Sequence, residues 1–157
     1  SEPYVRTSAV LSRLADRCRV VPLGIEAATF MRPDPDRVAA LRRRYGGGFV
    51  FFCGKHRYYK GLRYLIEAAP RLQAPLVVAG DGPERAACER RARELGVAAA
   101  FPGELAQDDL VNHFHASEVF VYPSVERSEA FGIAILEAHA CGRPVVATTL
   151  GTGIEYA

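Results

Sequence analysis

The chain has 157 residues, 49% hydrophobic and 24% charged, the composition of a globular domain long enough to bury a core. Twenty basic residues against eighteen acidic give a net charge of +2, which argues against nucleic acid or an anionic membrane as the main partner. No apolar run approaches the ~18 residues of a membrane span, and no signal-peptide pattern opens the sequence. Cys18, Cys53, Cys88 and Cys141 are scattered with no C-x-x-C pair, which predicts reduced thiols in a cytoplasm and neither a disulfide framework nor a zinc site.

The texture changes near residue 47, from an irregular stretch to short apolar runs alternating with helical patterns. Before it, Asp34-Pro35-Asp36 predicts a helix start, with Asp34 as its cap and Pro35 at the first position. Arg42-Arg43-Arg44 would be its solvated, cationic last turn. Asp34-x-Asp36 also has the form of a short acidic metal-binding motif, but its place before the first strand favours the cap.

Val50–Cys53, Leu76–Ala79, Val97–Phe101, Val119–Tyr122 and Pro144–Ala147 are apolar at nearly every position, the pattern of strands covered on both faces. Between them, Lys60–Leu72 carries an apolar stripe at three- and four-residue spacing through Leu62, Leu65, Ile66, Ala69 and Leu72. Pro83–Leu95, ended by Gly96, Ala106–Ser117, and Phe131–Ala140, ended by Gly142, complete the helices. Five strands alternating with helices predict an α/β fold, a doubly wound parallel sheet of Rossmann-like type.

Ligands of such sheets bind beyond the carboxyl ends of the strands. The loop after the first strand, Gly54-Lys55-His56-Arg57-Tyr58-Tyr59-Lys60-Gly61, holds three permanent cations and a histidine before a helix, which suits a diphosphate. Gly80-Asp81-Gly82-Pro83 is a tight strand-to-helix turn. Glu129 lies just before the last helix, and Glu137 about two turns along it, where a carboxylate can accept ribose hydroxyls. His113 and His115 read as surface or packing residues, His139 as core, and Cys53 and Cys141 as small buried residues. His56, inside the cationic loop, is open to either reading.

Glu129–Glu137, followed by Ala138-His139-Ala140-Cys141-Gly142-Arg143-Pro144-Val145-Val146-Ala147-Thr148, closely resembles the donor-site segment of family 4 glycosyltransferases. The likeness extends in order through Gly54…Lys60-Gly61, Gly80-Asp81-Gly82-Pro83, Phe101-Pro102-Gly103 and Tyr122-Pro123-Ser124, and covers roughly residues 18–157. These are retaining enzymes of the GT-B fold. Tyr58-Tyr59-Lys60-Gly61 and Leu150-Gly151-Thr152-Gly153 look most like mannosyl- or rhamnosyltransferases of bacterial polysaccharide assembly. The resemblance implies that Lys60 holds the donor diphosphate. Lys55 stands where the family has an arginine, a departure, because lysine lacks arginine's planar two-point contact; Arg57 is the candidate to share that task. It implies further that Glu129 contacts the transferred sugar and Glu137 the ribose, and that the N–H groups of Phe131, Gly132 and Ile133 face sugar or diphosphate. Gly103 and Glu104 would lie by the base, with Gly54 and Gly82 lining the loops. Lys60, Lys55 and Glu129 are thus the candidate catalytic residues.

The resemblance also sets the expected organisation. Residues 1–24 would be a remnant of an acceptor domain with its interdomain linker, and 25–157 a donor-binding domain lacking its last helices, so that the chain binds nucleotide but transfers nothing alone. The implied substrate is a GDP- or UDP-linked sugar, with no cofactor and no metal, and the acceptor a glycan or lipid-linked acceptor held by the other domain. Nucleic acid is not an expected partner; peripheral membrane association at the inner face is. Two alternatives stand beside this: a non-catalytic nucleotide-binding module, and another GT-B enzyme such as a nucleotide-sugar epimerase or a sugar phosphorylase. An ordinary dinucleotide-binding domain is disfavoured, because no G-x-G-x-x-G follows the first strand.

Overall fold

The computed structural model describes residues 1–156. In chain order it places α1 (Glu2–Thr7), a 3-10 helix (Leu11–Arg17), α2 (Ala27–Phe30), α3 (Pro35–Tyr45), β1 (Val50–Cys53), a 3-10 turn (Tyr58–Lys60) and α4 (Leu62–Ala68). A 3-10 turn (Ala69–Arg71), β2 (Leu76–Ala79), α5 (Arg85–Glu94), β3 (Ala99–Gly103) and α6 (Gln107–Ala116) follow. β4 (Val119–Tyr122), α7 (Ile133–Ala140), β5 (Val145–Ala147) and a 3-10 turn (Gly153–Tyr156) end the described chain.

The five strands form one parallel sheet in the order β3-β2-β1-β4-β5. β1 and β2 are buried at all four positions, which is why both read as unbroken apolar runs. Alternate residues serve two separate cores. Phe51, Cys53, Val77, Ala79, Phe120 and Tyr122 point to one, where Phe114 of α6 and Ile135 and Ala138 of α7 meet them. Val50, Phe52, Leu76 and Val78 point to the other, closed by Leu62, Leu65 and Ile66 of α4 and Cys88 and Ala92 of α5. Phe114 packs edge-on against both Phe51 and Phe120, with ring centroids 5.2 Å apart in each pair.

Asp34 is the helix cap: its Oδ1 accepts the N–H groups of Asp36 and Arg37 at 2.9 and 3.1 Å. Its carboxylate is therefore committed to the start of α3. Arg42 is not simply solvated, because its Nε donates to the carbonyl of Ala116 at 3.2 Å, at the carbonyl end of α6.

Four of the expected elements shift at a boundary by two residues or more, and α6 and β5 by one. The 60–72 helix starts only after Gly61, at φ +70°, and is broken by Pro70, which turns the end into a 3-10 helix and leaves Leu72 exposed. β3 starts and ends two residues late, because the Val97 N–H is still bonded to Ala92 as the chain leaves α5. Its Pro102 is tolerated on an edge strand. α5 begins at Arg85, after a turn through Pro83 and Glu84. α7 begins at Ile133 rather than Phe131, since Gly132 sits at φ +84° immediately before it.

β1 is central: the chain leaves it for β2 on one side and returns through β4 on the other. The loops after β1 and β4 therefore diverge from neighbouring strands, opening a crevice at the carboxyl ends.

Candidate functional site

A cleft of about 660 Å³ occupies that crevice. Its walls include Gly54, Lys55 and Lys60 after β1, Ala79 and Gly80 after β2, Glu104 and Leu105 after β3, and Ser128–Ala134 with Glu137 around the start of α7. Two glycines allow the loops to meet. A Cβ on Gly80 would lie 2.0 Å from the Gly54 carbonyl oxygen, and one on Gly61 1.9 Å from that of Pro123.

At the centre lies a nearly buried ion pair. Lys60 Nζ is 2.5 Å from Glu129 Oε2, with the two side chains only 12% and 10% exposed. Lys60 also donates to the Tyr122 hydroxyl at 2.8 Å and lies 4.8 Å from the centre of that ring. Ser124 Oγ donates to Glu129 Oε2 at 3.2 Å, and the Tyr122 hydroxyl lies close enough to feel the same carboxylate. Burial and the Glu129 charge hold the Tyr122 phenol protonated, well above its ordinary range. Four side chains from two loops and the end of β4 thus fix one cation and one carboxylate in the cleft wall.

The second lysine is held differently. Lys55 pairs with Glu104 across the cleft mouth, with both side chains about two-thirds exposed. Glu137, half-buried one turn into α7, has its carboxyl raised above the ordinary carboxylate value by burial. Ile133 and Ala134, at the start of α7, line the cleft beside it, while the Ile135 N–H is taken by the Gly132 carbonyl at 2.8 Å. Cys53, in the cleft floor, is kept a thiol by burial, and the Cys141 thiol is pushed up to about 12.

Lys55, Lys60, Glu104, Glu129, Gly54, Phe131, Gly132, Ile133 and Glu137 are brought together on this cleft. Arg57, Gly82 and Gly103 are not among its lining residues. Arg57 is exposed. Gly82 packs on the His56 backbone, where a Cβ would meet the His56 carbonyl oxygen at 2.6 Å. Gly103 ends β3 with its carbonyl bonded to the Gly80 N–H at 2.7 Å. His56 is fully buried, its Nε2 3.3 Å from the Ala79 carbonyl, and burial lowers its pKa. It belongs to the packing beneath the loops.

His113 is buried too: Nδ1–H donates to Asp109 at 2.7 Å and the ring stacks on Phe51. His139, expected in the core, is exposed, because Ile135 and Ala138 turn α7 toward the sheet and put position 139 outside their arc. The sequence reading missed Tyr122, Ser124 and the rim residue Leu23. The run Tyr122-Pro123-Ser124 carried a likeness but no role, although Tyr122 ends a strand where ligands bind. Among the described residues, no group of three His, Cys, Asp or Glu gathers as a metal cage, and no helix is long and apolar enough to cross a membrane.

A family model described as Glycosyl transferases group 1 matches residues 48–157. The chain belongs to this family. O-antigen chain mannosyltransferase C of Escherichia coli is 38% identical to this group 1 chain over 157 residues, covering 99% of the chain and 42% of the relative. The D-rhamnosyltransferase WbpZ of Pseudomonas aeruginosa is 36% identical, covering 99% of the chain and 41% of the relative. The chain thus spans about two-fifths of the length of these curated relatives. Among solved structures, HepE of Anabaena in complex with UDP-glucose superposes with a TM-score of 0.77 at 26% identity, over 91% of this chain and 42% of that one. The group 1 chain is accordingly a Rossmann-like half of a GT-B fold.

Proposed function

We propose that the cleft binds a nucleoside-diphosphate sugar and that the full-length protein transfers the sugar, with retention, to a glycan or lipid-linked acceptor. The convergence of Lys60, Glu129, Glu137 and the start of α7 on one cleft carries the reading. In this reading Lys60 and Lys55 hold the diphosphate, Glu137 accepts ribose hydroxyls, and Glu129 accepts sugar hydroxyls. Breaking the bond between the anomeric carbon and the phosphate oxygen leaves negative charge on the departing diphosphate. Ammonium groups and N–H donors fixed beforehand lower that barrier, each worth about 3–4 kcal/mol by analogy with oxyanion donors. The lysines supply the counter-charge, so the reading assigns no metal and no cofactor.

The names of the relatives favour a mannosyl or rhamnosyl donor, and because other relatives are named as GDP-mannose-dependent mannosyltransferases we read it as GDP-linked, with UDP the alternative that the HepE complex suggests. A cytoplasmic protein at the inner face of the membrane fits polysaccharide assembly. Residues 1–24 are read as linker and acceptor-domain remnant and the rest as the donor domain, which binds without turnover by itself. Calorimetric titration with GDP, UDP and ADP in EDTA tests this, alongside Lys60→Ala and Glu137→Ala. The expected result is selective binding of one nucleotide, weakened at least about tenfold in each variant. Equal affinity in the folded variants, or sugar transfer by this chain alone, would overturn the reading.

A further inference from the structure

We propose that Glu129 is an internal counter-ion that competes with a nucleoside diphosphate for Lys60, so that the cleft favours an intact nucleotide sugar over the free nucleoside diphosphate. The inference rests on the donor-site reading and adds to it a specificity-determining role for the ion pair. Before any ligand arrives, Lys60 already has an anion: Glu129 Oε2 at 2.5 Å, in a site where both side chains are about nine-tenths buried. Its other close partner is the Tyr122 hydroxyl. An incoming phosphate either takes the third N–H of the ammonium group and then lies close to the Glu129 carboxylate, or draws the ammonium group away from it. If the ammonium group leaves, Glu129 keeps only the Ser124 hydroxyl as a donor, and a buried carboxylate that loses its counter-ion is strongly disfavoured; if it stays, phosphate and carboxylate repel at close range.

What else the ligand carries then decides the balance. An ionised carboxylate only accepts hydrogen bonds. A free nucleoside diphosphate ends in a terminal phosphate that brings more negative charge and no hydroxyl toward Glu129. A sugar on that phosphate lowers its charge and offers hydroxyl donors, which replace the bond that Lys60 gave up. The exchange is therefore balanced for the sugar-linked ligand and unbalanced for the product left after transfer. The Lys55–Glu104 pair faces the same cleft but lies in solvent, where exchanging partners costs little, so the selectivity resides at Lys60.

Titration of the chain and of Glu129→Gln with UDP, UDP-glucose, GDP and GDP-mannose tests the proposal. Glutamine keeps the shape and an acceptor for Lys60 while removing the charge. Glu129→Gln is expected to bind the free nucleoside diphosphate at least about tenfold tighter than the parent chain and to lose the parent's preference for the sugar-linked form. Glu129→Asp, which draws the carboxylate back by one methylene, is expected to move the same way by a smaller factor and covers the case of a glutamine variant that does not fold. Unchanged or weaker diphosphate binding in folded variants, with the sugar preference intact, would overturn the counter-ion role and leave the donor site standing. Binding by Glu129→Gln where the parent chain is silent supports both. No nucleotide binding by any folded variant overturns both.

Discussion

Gly61→Ala isolates what holds the two halves of the cleft together. Gly61 has φ +70°, a conformation that costs an L-residue about 1–2 kcal/mol. A Cβ there would lie 1.9 Å from the Pro123 carbonyl oxygen and 2.9 Å from its carbon. Contacts below 3.0 Å are not sustained, so the loop after β4 must retreat by more than about 1 Å, from 1.9 Å to beyond 3.0 Å. That loop is pinned nearby, where the Val125 N–H donates to the Tyr59 carbonyl at 2.8 Å. Forcing a packed contact apart costs about 1–3 kcal/mol, so the total is about 2–5 kcal/mol, a large part of an ordinary domain's stability. Urea unfolding of the variant measures it directly. Gly96→Ala is the matched control: φ is +65° but nothing lies within 4 Å, so only the backbone cost is expected. Because Lys60 immediately precedes Gly61 and Glu129 follows Pro123 on the displaced loop, nucleotide affinity should fall in Gly61→Ala and not in Gly96→Ala. A Gly61→Ala chain as stable as Gly96→Ala, to within about 0.5 kcal/mol, would refute the clash.

Two further predictions concern charge. Burial raises the Glu137 carboxyl, so between its ordinary and raised values the native state binds the extra proton and stability falls as pH rises through that window. Glu137→Gln should therefore gain stability over the parent more at pH 7 than at pH 4, and a difference constant with pH in urea titrations would remove the burial argument. Arg42→Ala should lose about 0.5–1.5 kcal/mol in the same assay through the lost bond to Ala116 at the end of α6, and Arg43→Ala, exposed on α3, nearly nothing. Equal effects of the two would mean that the Arg42 contact contributes no stability.

β1 and β2 were legible because strands buried on both faces leave nothing polar in the run, and β4 too was placed to the residue; β5, equally apolar in sequence and expected to be covered, is an edge strand with Val146 exposed. The loop chemistry was legible for a related reason: charged residues and glycines concentrate where the strands end. Tyr122 was not, since an aromatic inside an apolar run looks like core, and parity along such a run cannot be read from hydrophobicity alone. Its hydroxyl reaches Lys60 and Glu129 only because position 122 shares a face with Phe120 and ends the strand at the crevice. The helix start at Gly61 could not be read from the apolar stripe, because its first member is Leu62 and a stripe does not mark where the first turn begins. Arg57 and Lys55 looked equivalent in sequence, two cations in one loop. His56 between them is fully buried, and of the two exposed cations only Lys55 lines the cleft.

The electrostatics of the cleft follow from the same geometry. Lys55 and Lys60 are each matched by a carboxylate, Glu104 and Glu129, and Glu137 adds a further carboxyl. Such a site has no surplus of positive charge with which to draw in anions at a distance, in contrast to a cleft lined by one sign. Under the donor-site proposal, recognition of a diphosphate would then come from exchange of partners at close range, where the cations trade carboxylates for phosphate and the carboxylates trade ammonium groups for hydroxyls. An exchange of that kind rewards a ligand carrying both anion and hydroxyls at the right separation, and gives little to an anion alone. On this proposal the pairing that neutralises the cleft would also make it selective, with the Lys60–Glu129 pair dominant because it is the one shielded from water.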